Sequence, residues 1–142
     1  MKGSDYKMRD LAENLAILDA IRPDECTAAV YNARSNGVHA TVGEIDLADY
    51  GYPRKILVCV GVGEVDAGGL LDVDIESGLT TGALTNTDVS LDQMAAIGDQ
   101  MYEYKPTRRF INVEATVTVN NVTFAVGLIM EHCRFGNRGS DD

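Results

Sequence analysis

The sequence predicts an all-β protein, a sandwich of short strands, and three observations predict it. Residues 111–119 alternate strictly: Ile111, Val113, Ala115, Val117 and Val119 are set against Asn112, Glu114, Thr116 and Thr118. A period of two is what a strand with one buried and one wet face requires. Residues 71–76 repeat the pattern, with Leu71, Val73 and Ile75 facing one way and Asp72, Asp74 and Glu76 the other. Turn-forming pairs punctuate the chain between such runs, at Asn36-Gly37, Gly68-Gly69 and Asn120-Asn121. Short strands with turns between them suggest a sandwich or a barrel.

Residues 1–10 are polar, with Lys2, Lys7 and Arg9 against Asp5 and Asp10. Leu11, Leu15 and Leu18 then fall at i, i+4 and i+7, with Ile17 and Ile21 nearby. Asp10 followed by Glu13 resembles a capping box, so the spacing predicts a short helix from about Leu11 to Ala20, ending before Pro23. The competing reading is an extended arm that docks Leu15, Ile17 and Ile21 on another surface. A helix this short is marginal alone. Its apolar stripe must be buried on its own sheet or on a neighbouring subunit.

From Thr27 onward the pattern is β. Ala28 to Tyr31 opens a first strand, and Val38 to Leu47 reads as strand. Tyr50-Gly51-Tyr52-Pro53 reads as a loop. Lys55 to Val62 is a continuous apolar run, short enough to be a buried central strand. Residues 77–90 are rich in Ser, Thr, Gly, Asn and Asp and read as a long surface loop with room for a short strand. Leu91 to Met101 is ambiguous between loop and short helix. Phe110 to Val119 and Val122 to Arg134 form a final hairpin across Asn120-Asn121. The organisation is an arm or short helix at 1–22, a β domain at 23–135 and a polar tail at 136–142.

The length of 142 residues suits one domain. The apolar fraction of 45% excludes wholesale disorder. Tryptophan is absent, so the core is mostly aliphatic. The net charge is −10, from 22 acids and 12 bases. No Lys or Arg stands between Lys55 and Lys105, while that interval holds nine carboxylates from Glu64 to Glu103. Nucleic-acid binding needs a basic face that displaces counterions, so this region is read as a solvated acidic surface. Cys26, Cys59 and Cys133 are odd in number and lack CxxC spacing, which fits a reducing compartment during folding. The N-terminus has no apolar signal-peptide run, and no stretch approaches the length of a membrane-spanning helix. Asn121-Val122-Thr123 matches a glycosylation acceptor but reads here as a turn.

Chemistry-bearing constellations are sparse. Gly61-Val62-Gly63 follows a strand, but the third glycine of a dinucleotide fingerprint is replaced by Asp66 and no helix pattern follows. Asp72, Asp74 and Glu76 share one strand face and are a weak candidate for Ca²⁺. Same-face neighbours on a strand stand about 7 Å apart, so one ion would need further oxygens from a nearby loop. Otherwise they form an exposed acidic face. His132 falls on the apolar face of its strand, away from Cys133, and His39 has no obvious partner. No GxSxG, HExxH or CxxC occurs. The expectation is a non-enzymatic protein without cofactor or metal. Tyr102 to Phe110 is the densest aromatic and basic segment. Tyr and Arg are favoured at interfaces, and the alternative is a strand lead-in whose arginines balance acids elsewhere.

Several segments in order carry a resemblance. They are Asn14-Leu15 to Ile21-Arg22-Pro23, Ile45-Asp46-Leu47-Ala48-Asp49-Tyr50, the strand Ile56 to Gly61, Val73-Asp74-Ile75-Glu76-Ser77, and Arg108-Arg109-Phe110-Ile111-Asn112-Val113. Over about residues 11–135 the chain resembles decoration (cement) proteins of tailed bacteriophage capsids. It departs at Asp49, where such sequences more often have glycine. The resemblance implies a jelly-roll-like β-sandwich that binds the outside of an assembled head and stabilises it. The implied partners are the major capsid protein and the chain itself, as dimer or trimer, and the implied location is the outer virion surface. The interface residues expected on this reading are Leu11, Leu15, Leu18, Ile21, Tyr102, Tyr104, Arg108 and Arg109. A neck, tail or head-surface adsorption module that binds host envelope is the alternative. It would be favoured by an aromatic-bearing pocket at residues 77–100, and the sequence places no aromatic residue there, which counts against it.

Overall fold

The computed structural model describes residues 15–33, 44–81, 84 and 86–131. Among them are nine strands and one 3-10 turn: β1 (Leu15–Cys26), β2 (Ala29–Asn32), β3 (Ile45–Asp46), the turn Leu47–Tyr50, β4 (Ile56–Val65), β5 (Leu70–Gly78), β6 (Asn86–Ser90), β7 (Gly98–Tyr104), β8 (Phe110–Thr118) and β9 (Val122–Glu131). They form two antiparallel sheets. One runs β1-β9-β4-β7; the other runs β2-β8-β5-β6, with β3 also on β8. The expected β-sandwich is therefore the fold.

β5 pairs with β8 along its whole length, so β2 and β3 both lie on the opposite edge of β8, end to end. Together they fill one strand position. Counted so, eight positions stand in two sheets of four, and the chain changes sheet at almost every connection. This is jelly-roll order.

The core lies between the sheets. Ile56, Val58, Val60 and Val62 of β4 and Val122, Phe124, Val126, Leu128 and Met130 of β9 are buried from one side. Leu71, Val73 and Ile75 of β5 and Ile111, Val113, Ala115 and Val117 of β8 are buried from the other. Tyr31 packs edge-on against Phe124, with ring centroids 6.2 Å apart.

Four expectations are corrected. The helix at Leu11–Ala20 is not formed where the chain is described. Leu15 to Cys26 is a strand whose Ala16 and Leu18 pack against the core and whose Ala20 and Ile21 lie within it. The i, i+4 spacing that suggested a helix also satisfies a period of two. Pairing with β9 supplies the hydrogen bonds that settle the choice. The strand runs through Arg22-Pro23, where the register shifts between Ile21 and Asp24. An edge strand with a bulge is where a sheet tolerates proline.

β8 and β9 are not a hairpin: they belong to opposite sheets. Their apolar faces meet across the core instead of lying side by side. The positive φ falls on Val119 (71°), before the Asn pair. The turn is tied to the β4–β5 turn, which also crosses between sheets: the Asp66 amide donates to the Asn121 carbonyl at 3.0 Å. Leu47 sits in the 3-10 turn, which Asp46 caps by accepting from the Ala48 amide, and Gly51 closes it with φ 69°. Finally, the region left open between loop and helix holds a bridge from Met94 to Leu71 and then β7. Leu11, Asn36-Gly37, His39, His132, Cys133 and the 136–142 tail lie outside the described residues.

Candidate functional site

Lys55 and Lys105 flank the paired strand ends of β4 and β7, where Ile56 stands opposite Tyr104. Phe110 at the start of β8 stands opposite both Gly78 and Asp46. These pairings put the loops at 51–55 and 105–109 at one end of the sandwich. Arg54, Lys55, Lys105, Arg108 and Arg109 are all there. They are the whole set of Lys and Arg whose side chains are described. The start of β1 is at the same end, since Leu15 pairs with Glu131 and Met130 pairs with Ile56. Leu15, at the start of β1, and Tyr102–Phe110, far apart in sequence, thus lie at the same end of the sandwich, β1 and β7 being opposite edges of one sheet.

Three of the five cations are held by acids. Arg109 donates to both Asp46 oxygens at 2.9 Å and lies over the Phe110 ring. Its guanidinium keeps the Asp46 carboxyl below its ordinary value. Lys55 sits 3.5 Å from Glu103. Arg108 is 4.0 Å from Asp88 and donates to Ser77 Oγ at 3.2 Å. Arg54 and Lys105 have no ion-pair partner among the described residues. A shallow groove of about 290 Å³ runs between the loops, lined by Tyr52, Pro53, Arg54, Pro106, Arg108 and Arg109 among others. Tyr52 is exposed and holds φ at 55°.

Beside this end, between the β6 and β7 edges, a second open groove of about 520 Å³ is lined by Asp88, Val89, Tyr102, Glu103, Tyr104, Lys105 and Thr107. Its floor is a polar network. The Tyr104 hydroxyl donates to Asp88, which also accepts from Asn86. Burial and the Asp88 charge push the Tyr104 phenol far above its ordinary value. Burial opposes ionisation of Asp88 as well. Hydrogen bonds from Tyr104, Ser77 and Asn86, with the Arg108 charge, outweigh it and keep this carboxyl below its ordinary range.

The sequence-selected interface residues divide. Tyr102, Arg108 and Arg109 stand at the surface of this end. Tyr104 and Ile21 are buried in the chain's own core, and Leu18 packs against it, so these three support the fold instead of offering contact surface. Leu15 is placed by its backbone at the start of β1, and Leu11 lies outside the described residues.

Asp72, Asp74 and Glu76 do share the outer face of the β5 sheet, joined by Glu114 directly opposite Asp74. Asp72 accepts from Gln93 and Glu76 from Asn112. Among the described residues no group of three or more His, Cys, Asp or Glu is arranged to hold a metal ion. Asn112 is 3% exposed and fully engaged, donating to Asn32 and Glu76 and accepting from the Ala33 amide.

Sequence reasoning missed the outer face of the other sheet. Ile17, Ile129 and Leu57 stand in one cross-strand row, and Gly127, Cys59 and Met101 in the next. Ile17 and Met101 are strongly exposed. The signal was present: β4 and β9 are apolar at nearly every position, whereas β5 and β8 alternate.

No family model and no curated protein matches the chain. Among the described residues no helix is long and apolar enough to cross a membrane.

Proposed function

We propose that this protein is a capsid decoration protein, a non-enzymatic β-sandwich that binds the outer surface of an assembled phage head and stabilises it. The observation that carries the reading is the gathering of described cations, with exposed Tyr52 and Tyr102, at the sandwich end where β1 begins. On this reading that end meets the major capsid protein, and residues 1–14 extend the contact. Jelly rolls serve as viral shell and lectin domains, but fold alone does not assign function. The ordered likeness of the five sequence segments supplies the rest. A shell repeats each contact many times, so modest interfaces add through multivalency.

Co-sedimentation of the purified protein with expanded heads that lack it, followed by electron microscopy, tests this. Regular binding at symmetry-related positions is expected. Arg54→Glu combined with Lys105→Glu, two exposed side chains outside the core, should abolish it. Absence of binding would sink the reading.

A second reading is favoured by the groove beside Tyr102. Residues Asp88 and Val89, from the 77–100 region, line it together with two tyrosines. An open aromatic groove of this kind suits a sugar ring, as an adsorption module would need. Retention on immobilised host-envelope glycans, lost in Tyr102→Ala, would favour this reading over the first.

A further inference from the structure

A sandwich has open edges, and this one protects them unequally. A sheet edge offers unpaired N–H and C=O groups to any extended chain, and proteins blunt it with short strands, bulges, proline or inward charges. β1 carries Pro23 and two register shifts. β2 and β3 have four and two residues. β6 has five, and a register shift makes its Asp88 the extra residue of a bulge. β7 has none of these devices. It runs seven residues, Gly98–Tyr104, in unbroken register with β4 and without proline or lysine. Its far edge has no partner strand among the described residues.

The side chains of β7 define what fits beside it. Asp99, Met101 and Glu103 share the outer face, opposite Gly61, Cys59 and Leu57. Gln100, Tyr102 and Tyr104 share the other, and the two tyrosines line the groove beside β6. An added strand therefore needs cations on its outer face and apolar side chains toward the groove. Residues 5–11 of this chain, Asp5-Tyr6-Lys7-Met8-Arg9-Asp10-Leu11, have that alternation. Laid antiparallel, like every strand pair of the described fold, they set Lys7 opposite Glu103, Asp5 opposite Lys105 and Met8 opposite Tyr102. Arg9 then stands diagonal to both Asp99 and Glu103, within reach for a long side chain. A slip of two residues sets Asp5 on Glu103 or Lys7 on Lys105, like charge on like. A slip of one turns Tyr6 and Met8 to the wrong face. Lys55 already stands 3.5 Å from Glu103, but that pair is exposed and leaves the carboxylate room for a second cation.

The arm cannot reach the β7 of its own chain. β1 and β7 are opposite edges of one sheet, so a strand outside β7 lies about 19 Å from β1, four strand spacings away. In the antiparallel register Leu11 stands level with Asp99, about 20 Å along the strands from Leu15, which makes about 28 Å in all. The chain from Leu11 to Leu15 spans at most about 14 Å. A parallel strand would still have the lateral distance to cross. We propose that residues 5–11 of one copy add as a fifth strand to the β7 edge of a second copy, Lys7 opposite the partner's Glu103. Main-chain hydrogen bonds give such a contact its affinity, and the alternating side chains give it its register. The inference stands without the capsid reading. On a shell, the contact that residues 1–14 extend would run sideways from copy to copy.

Sedimentation equilibrium of the full chain in the absence of heads tests the proposal, together with carbodiimide cross-linking of mixed isotopically light and heavy protein. The expected mass rises with concentration, and Lys7 is joined to Glu103 in peptides that combine light and heavy chains. The Lys55–Glu103 link, which forms within one copy, is the internal control. Lys7→Glu and Glu103→Lys should each weaken association roughly tenfold, and the two changes together should restore it. Glu103 is exposed, so its variant should keep the wild-type melting temperature. A chain that stays monomeric at every concentration would overturn the proposal. So would a Lys7–Glu103 link confined to chains of one isotope, association that neither single variant weakens, or a double variant that fails to recover. Because no heads are present, failure here and failure of head binding are read separately.

Discussion

Glu114 and Asp88 are two half-buried carboxylates whose surroundings push them in opposite directions. Burial raises Glu114 above its ordinary value, and the charges of Glu76 and Asp74 add to the effect. Its folded form binds a proton more readily than the unfolded chain, so this contribution to stability is present at acid pH and lost as pH rises through the folded value. Like charges directly opposite on neighbouring strands cost about 0.2–1 kcal/mol. Glu114→Gln should therefore raise the melting temperature at pH 7, and the gain should vanish below about pH 4, where the wild-type carboxyl is itself protonated. Asp88 is the reverse case. Its value is lowered despite burial, so its contribution is present above the ordinary carboxylate range and lost as pH falls through the folded value. Asp88→Asn should cost roughly 1–3 kcal/mol at pH 7, the range for disturbing a buried charged hydrogen-bond partner. The deficit should shrink in acid. Thermal melts across pH 3–8 (roughly the span over which carboxylates complete their titration) read both variants in one series. Parallel wild-type and variant curves would refute the assigned shifts.

At the scale of elements, the two sheet-crossing turns are where sequence and structure part. Val119 is 72% exposed and holds φ at 71°, a region costly for a β-branched side chain. Asparagine enters that region readily, so Val119→Asn should stabilise the protein by about 1 kcal/mol. An unchanged denaturation midpoint would show that the turn relaxes without strain. β5 and the acidic alternation on it were legible because one residue in two is buried and its neighbour is wet. β8 was legible for the same reason. What the sequence could not tell was which sheet each strand joins. A hairpin and a sheet-crossing turn look alike locally, and only the facing core residues, Val113 or Ala115 against Leu128 or Val126, decide between them. β7 was missed because an edge strand buries little: along Gly98–Tyr104 only Tyr104 is buried. β1 was misread because Leu11, Leu15 and Leu18 share one face at helical spacing, whereas in the strand Leu18 lies on the face opposite Ile17 and packs with Ala16 on the core. Within the candidate site, Tyr102, Arg108 and Arg109 were found from composition. Burial of Tyr104, and the placing of the start of β1 at the same end as Tyr102–Phe110, depended on long-range pairing.

Over the described residues the exterior is divided: one end gathers the cations, one sheet face carries the acidic alternation and the other face is mostly apolar along β4 and β9. On the proposed reading, a protein of net charge −10 that adheres to a repetitive shell has use for such a division. The acidic face resists non-specific association. The same proposal assigns specific contacts to the cation-bearing end, each weak alone and strong when repeated. The claim that this adhesion stabilises a head is tested most directly by heating DNA-filled heads that lack the protein, with and without it, and following release of packaged DNA with an intercalating dye. The account predicts that saturating protein shifts release to higher temperature, and that Arg54→Glu with Lys105→Glu abolishes the shift. Release at the same temperature with bound wild-type protein present would contradict it.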